Sequence, residues 1–171
     1  MTSPRLLLAG LLVPVGLGLV ALTPTALYAC SCAAAGPRQL VDHADAVFVG
    51  TLAEIEVPPA DGDAVVSSTD PVTYHFDVDR VLEGGVGATV DVASVRSGAS
   101  CGLEGMREGR EYVVFATTTG PALEAGLCGG TRPADAAFVA QVERRTGPAR
   151  PPAPDLDAIV AAIVAFVGFG S

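Results

Sequence analysis

The sequence predicts a mainly β domain, built as a small, partly open barrel or as a sandwich. Four short segments between residues 46 and 116 have the length and the β-branched or alternating character of strands, and Gly-containing turn signals separate them. A long acidic loop, rich in Pro, Gly and Asp, interrupts the series at 54–70. The even number of cysteines, four, is typical of an exported domain that is stabilised by disulfides.

Each predicted element has its own pattern. The predicted strands span 46–52, 73–82, 89–95 and 112–116. In the second strand Tyr74, Phe76 and Val78 alternate with polar residues, which is typical of an antiparallel strand with one buried face. A short helical turn is predicted at 39–44, and a helix is predicted at 133–145, where apolar residues recur at helical spacing and two Arg lie near the C-terminal end.

The first part of the chain has the pattern of a secretory signal peptide, residues 1–29. A positive charge, Arg5, precedes a charge-free apolar run, and a small residue, Ala29, marks the expected cleavage site. Cleavage after Ser31, lipidation of Cys30 and a membrane-anchoring helix are the alternatives. The pattern predicts a protein that is secreted or held on the extracellular cell surface.

The predicted domain, 30–145, is followed by two further segments. Residues 146–155 are Pro-rich and predict a stiff, extended linker. Residues 156–171 are almost wholly apolar, but the uninterrupted stretch 158–170 is shorter than the roughly 20 residues of a spanning helix. A terminal helix packed on its own domain and a short membrane anchor are both consistent with this tail, so contact with a membrane through it is one expectation.

Composition excludes several classes of function. Half of the 171 residues are hydrophobic, 50%, which is too many for a disordered chain. The formal net charge is −9, and removal of residues 1–29 takes away one Arg and no acid, so it becomes −10. A chain this acidic lacks the basic surface that a nucleic-acid partner requires.

Motifs of catalysis are absent from the sequence. It has no nucleophile elbow, and the Gly-rich stretch 84–87 lacks the Lys of a phosphate-binding loop. His75, Asp77 and Asp79 share the polar face of one predicted strand, where they could ligate a cation, although a solvated face explains them more simply. We therefore expect a protein that is not an enzyme and that carries no cofactor.

The four cysteines are Cys30, Cys32, Cys101 and Cys128. They allow three pairings, of which a bond between Cys30 and Cys32 would close a tight, strained ring. Both remaining pairings tie the predicted mature N-terminus to two distant segments. A metal site formed by thiolates is a weaker alternative, because two of the cysteines are isolated in the sequence.

The cysteine pattern resembles that of the tissue inhibitors of metalloproteinases, whose inhibitory domain is also called the netrin-like module. The segments that carry the resemblance are Cys-Ser-Cys at 30–32, the strands at 44–51 and 74–84, and the later half-cystines at 100–102 and 127–128. It covers about residues 30–130 and implies a five-stranded OB-like β-barrel with one or two peripheral helices. The chain lacks the third disulfide of that domain and the C-terminal domain of the family, and in this it is more similar to small bacterial relatives.

The resemblance also implies a site and a mechanism. It implies bonds from Cys30 to Cys101 and from Cys32 to Cys128, and a Cys30 whose backbone amine and carbonyl bind the zinc of a partner metalloprotease. The implied protease-binding ridge consists of Cys30, Ser31, Cys32, Ala33, Ala99 and Ser100. The acidic loop 54–70 would touch the rim of the protease. The alternative is an extracellular binding or envelope-interaction module that inhibits nothing.

Overall fold

The computed structural model describes residues 30–59 and 66–154. The predicted signal peptide, the middle of the acidic loop and the predicted apolar tail lie outside these described residues.

The described residues form six strands and two helices. The elements are α1 (Pro37–Asp42), β1 (Ala46–Glu56), β2 (Pro71–Glu83), β3 (Thr89–Val95), β4 (Glu111–Thr119), β5 (Ala122–Glu124), β6 (Arg132–Pro133) and α2 (Ala136–Thr146). All four predicted strands are present. Within the described part of the chain, α2 is the one helix of seven or more residues.

The sheet closes into a barrel of five strands, which confirms the predicted fold class. The order around the barrel is β1, β2, β3, β5 and β4, and β1 closes the circle because it pairs with both β2 and β4. All these pairs are antiparallel except β3 with β5, which run parallel. The short strand β6 lies outside the barrel and pairs with β4.

Strand β1 is buried on both faces and therefore contributes to two cores. Phe48 points into the barrel, where its ring meets that of Phe76 edge-on at 5.6 Å between centroids. Val47 and Val49 point outward into a second core beneath the two helices, together with Val142 of α2. This double burial explains why β1 begins as a continuous apolar run and not as an alternating one.

Several predicted boundaries were wrong. Strand β1 continues to Glu56, three residues into the predicted acidic loop, because those residues pair with β2. Helix α2 begins at Ala136 and not at residue 133, because Pro133 belongs to β6 and the Asp135 side chain caps the helix by accepting a hydrogen bond from the Phe138 N–H at 2.9 Å. Strands β5 and β6 were not predicted, since two or three residues are too few to show a period.

The described part of the predicted linker lies along the barrel. Arg150 and Val81 exchange two backbone hydrogen bonds of 2.8 Å, and the Ala153 N–H donates to the Val86 carbonyl at 2.8 Å. The Arg150 side chain also donates to the Gly84 carbonyl, at 3.1 Å. Residues up to Ala153 are therefore attached to the domain. Among the helices of the described residues, none has the length and apolar character needed to cross a membrane.

Candidate functional site

Two disulfides hold the beginning of the domain against one end of the barrel. Cys30 is bonded to Cys101 and Cys32 to Cys128, with Cα–Cα distances of 5.3 and 5.1 Å. This is the pairing that the resemblance implies. Both bonds lie within the barrel domain, which is therefore a β domain stapled by two disulfides. Such bonds are typical of proteins that reside in an oxidising compartment.

The parallel pairing of β3 and β5 explains why the two bonds meet. Parallel neighbours end at the same end of a sheet, so the turn after β3 (Gly98–Ser100) and the turn after β5 (Leu127–Gly129) lie side by side. The Leu127 N–H donates to the Cys101 carbonyl at 2.8 Å and joins the two turns directly. Each turn thereby presents one half-cystine to the N-terminal segment.

The sulfur atoms of the two disulfides are in contact. Cys30 Sγ lies 3.7 Å from Cys128 Sγ, and the sulfurs of Cys30, Cys32 and Cys128 all lie within 4.8 Å of one another. Three thiolates in this arrangement could hold a metal ion, but all four cysteines of the chain are in disulfides and none is free. The cluster is therefore a structural staple and not a thiolate metal site.

The segment after Cys30 is exposed although its ends are fixed. Cys30 itself is buried, at 9% exposure, whereas residues 31–36 are all exposed. No hydrogen bond joins the backbone of residues 30–35 to another residue of the described ranges. Ser31, Cys32 and Ala33 thus present backbone N–H and C=O groups to solvent from a segment that the disulfides hold in position.

The second part of the predicted ridge is a rigid turn. Ser97 Oγ accepts a hydrogen bond from the Ala99 N–H at 3.2 Å, and Glu104 Oε2 accepts one from the Gly98 N–H at 2.6 Å. Ala99 is exposed and Ser100 is half-buried. The disulfide of the adjoining half-cystine brings this turn beside the N-terminal segment, so the six residues of the predicted ridge lie at one end of the barrel.

Two tyrosines of the barrel support the chain that follows this turn. The Tyr74 hydroxyl donates to the Leu103 carbonyl, and the Tyr112 hydroxyl accepts from the Arg107 N–H at 2.8 Å. Burial raises the pKa of Tyr74 above its usual value, and the negative charge of Glu104 raises it further. Tyr74 therefore remains a neutral donor at ordinary pH.

Sequence reasoning missed the support that the acidic loop gives to the turn. The Ser97 N–H donates to the Ser68 carbonyl at 3.1 Å, and the Ser100 hydroxyl donates to that of Ser68 at 2.8 Å. The Arg96 N–H donates to the Asp70 carbonyl at 2.8 Å. The end of the loop therefore packs against the ridge, a contact between residues about thirty positions apart that no local pattern signals.

The segments that form this end contain no charged side chain, and the carboxylate that contacts them is that of Glu104, at the turn 97–100. Residues 30–37, 97–102 and 126–131 include no acidic or basic side chain, in a chain whose formal net charge is −10 once residues 1–29 are removed. Leu127, at 46% exposure, adds a large apolar side chain to this end. We refer to these three segments together as the neutral end.

His75 has different neighbours from those that the sequence suggested. Its Nδ1 lies 2.7 Å from Asp91 Oδ1 on β3, and its Nε2 lies 3.4 Å from Glu56 Oε2 on β1. Among the described residues, its hydrogen bonds and ion pairs go to these two groups and not to Asp77 or Asp79. His75, Asp77 and Asp79 do share the solvent-facing side of β2, as predicted, but the contacts of the ring come from the paired strands β1 and β3.

No protein-family model matches the chain, and no curated protein matches its sequence. The fold and the site by themselves define the class: a closed, five-stranded β-barrel whose N-terminal segment is stapled by two disulfides beside a neutral end.

We expect Gly102→Ala to destabilise the domain by about 1–3 kcal/mol, because the added Cβ would collide with the Val95 carbonyl and push the ridge turn off the end of β3. Gly85→Ala is the matched control, since no atom lies within 4 Å of its added Cβ, and it should change stability by less than about 0.5 kcal/mol. Urea unfolding of both variants measures the difference. Equal midpoints for the two variants would contradict this account of the turn.

The hydrogen bond that the His75 ring donates to the Asp91 carboxylate raises the pKa of His75, with further contributions from Glu56 and Glu54. Because the pKa of His75 is raised in the folded protein, the protonated ring stabilises the fold fully at pH values below its unfolded pKa of about 6.5. This stabilisation is lost as the pH rises through the pKa of His75 in the folded protein. An NMR titration of the His75 ring should give a pKa above 6.5, and Asp91→Asn should lower it. Asp77→Asn, a nearby charge removal on the same strand, should lower it less; the reverse order would contradict the assignment.

Proposed function

We propose that this protein is an exported inhibitor of zinc metalloproteases, in which Cys30 is the N-terminal residue and binds the zinc ion of the partner. The observation that carries the proposal is the exposed segment 31–35, whose backbone makes no hydrogen bond to the described residues and which two disulfides hold at the neutral end. An exposed backbone without hydrogen-bond partners can pair with the walls of a protease cleft as a substrate does. The disulfides limit the conformational entropy that this segment loses on binding.

The chemistry at Cys30 depends on the position of signal cleavage. Cleavage after Ala29 converts the Cys30 amide nitrogen into an α-amine, and the amine and the Cys30 carbonyl can then chelate one metal ion. A zinc protease keeps one coordination position open for water or substrate, so such a chelate would displace the water that attacks the peptide bond. The bond to Cys101 holds Cys30 in place, which favours a preorganised chelate.

The neighbouring residues would extend the contact. Ser31 is exposed directly after Cys30 and would enter the pocket beside the zinc, and Cys32 and Ala33 would follow along the cleft. Ala99 and Ser100 would form the second part of the ridge. None of these side chains is charged, so the affinity should depend on shape, backbone pairing and zinc chelation more than on salt.

The first experiment determines the N-terminus of the exported protein and measures inhibition of a panel of secreted zinc metalloproteases with a fluorogenic peptide substrate. We expect a free Cys30 amine and inhibition of at least one of these enzymes. A variant that keeps one additional Ala before Cys30 should lose at least 100-fold in potency, because its amine is displaced from the zinc. Ala34→Ser, in the same exposed segment beyond the ridge, is the matched control and should retain potency.

Unchanged potency of the Ala-extended protein would exclude chelation by the amine. A lipidated Cys30, or a start at another residue, would exclude it as well. In the alternative function, a non-inhibitory extracellular binding or envelope-interaction module, a partner captured from an envelope extract would remain bound to the Ala-extended protein. That result together with the absence of inhibition would favour the alternative.

The proposed chelate also predicts a pH dependence. Only the deprotonated amine can bind zinc, and an α-amine has an ordinary pKa of about 8. The inhibition constant should therefore rise as pH falls below that value, by about tenfold per pH unit at the limit. The inhibition constant of the Ala-extended protein, measured over the same pH range, corrects for titration of the protease's own groups. If the inhibition constants of the two proteins changed with pH in parallel, the mechanism would be contradicted.

A further inference from the structure

We propose that the two disulfides at the neutral end form a redox-sensitive switch, in which a dithiol reductant converts the native pairing into a single bond between Cys30 and Cys128. Cys32 and Cys101 are the two thiols that this conversion releases. The N-terminal segment then keeps a bond to the turn after β5 and loses its bond to the turn after β3. The switch concerns the exchange of bonds between sulfur atoms and does not rest on the proposed inhibition.

The contact between the two disulfides is the observation that carries the inference. Cys30 Sγ lies 3.7 Å from Cys128 Sγ, which is van der Waals contact for two sulfur atoms. A disulfide is about 2.05 Å long, so the two atoms need to approach by about 1.7 Å to become bonded. A half-cystine that has been released from its own partner can cover this distance by rotation of its side chain. The exchange therefore does not require the barrel to unfold.

The positions of the other sulfurs favour one product of the exchange. The sulfurs of Cys30, Cys32 and Cys128 lie within 4.8 Å of one another, and Cys101 does not belong to this group. A bond between Cys30 and Cys32 would close a tight, strained ring. Cys128 is therefore the favoured new partner of Cys30.

Both disulfides are accessible to an external thiol. Cys32, Cys101 and Cys128 are exposed, whereas Cys30 is 9% exposed. A thiolate from solvent can therefore attack each bond at a sulfur of an exposed residue. The neutral end has no carboxylate of its own to repel this anion, in a chain that is otherwise acidic.

Attack on Cys32 begins the first route to the product. The reductant thiolate bonds to Cys32 Sγ, and Cys128 leaves as a thiolate that lies beside Cys30 Sγ. Cys128 then attacks Cys30, and Cys101 leaves as a thiolate. The second thiol of the reductant displaces Cys32 from the mixed disulfide. One dithiol is thereby oxidised to its disulfide, two electrons reach the protein, and the two protons of the dithiol end on Cys32 and Cys101.

Attack on Cys101 leads to the same product. It releases Cys30 as a thiolate, which attacks Cys128 Sγ and displaces Cys32. The second thiol of the reductant then displaces Cys101 from the mixed disulfide. Both routes consume one dithiol and form the same bond, because the sulfurs of Cys30 and Cys128 are the pair in contact.

Two variants that remove the same native disulfide test the exchange without a reductant. Cys101→Ser leaves Cys30 as a thiol beside Cys128, whereas Cys30→Ser, the matched control, leaves Cys101 as a thiol outside the sulfur group. Both exported proteins are incubated at about pH 8, where a free thiol is partly ionised, then alkylated and mapped by peptide mass spectrometry. We expect bonds other than the native one to be at least about tenfold more abundant in Cys101→Ser, in a proportion independent of protein concentration.

Limited reduction of the unchanged protein with one equivalent of dithiothreitol is the second measurement. In the fraction that retains one disulfide, we expect the bond from Cys30 to Cys128, with the alkylating reagent on Cys32 and Cys101. A one-disulfide fraction that contains native bonds alone would overturn the proposal, and so would equal amounts of exchanged bonds in the two variants. Circular dichroism verifies that each variant is folded, and should Cys101→Ser fail to fold, the limited reduction decides the question.

Discussion

The two disulfides that lie in contact at one end of the barrel are the constraint on which the rest of that end depends. They fix the segment 30–35, whose backbone makes no hydrogen bond to any other described residue. The bonds span 71 and 96 residues, and closing loops of such length restricts the unfolded chain by about 4 kcal/mol each in the chain-entropy estimate. This stabilisation offsets the entropic cost of holding the exposed segment in one conformation, because the segment itself has little packing to do so.

The barrel provides the geometry that makes this staple possible. Parallel pairing of β3 and β5 brings the turns after them to one place, and each turn contributes one half-cystine. The double burial of β1 connects the barrel interior to the helices, so the frame behind the turns is packed on both sides. Rigid support of this kind is what a binding segment without its own secondary structure requires if it is to bind without a large entropic cost.

Charge divides the surface into two chemically different regions. The neutral end has no ionisable side chain, and its proposed partner would be recognised by backbone, shape and one metal ion. On the outer face of β1, β2 and β3, His75 lies between the carboxylates of Glu56 and Asp91.

The sequence by itself determined the strands with a clear pattern, the late helix and the presence of two staples. Tyr74, Phe76 and Val78 alternate because one face of β2 is buried, and this information is local. The residues alone left two cysteine pairings open, and the structure has the one that the family resemblance implied. Only the tertiary structure decided that β5 completes the barrel and that Ser68 supports the ridge. The contacts of His75 with Glu56 and Asp91 were also decided only by the tertiary structure. Each of these features joins residues far apart in the chain, and the periodicity of a single segment has no information about the strand that will lie beside it.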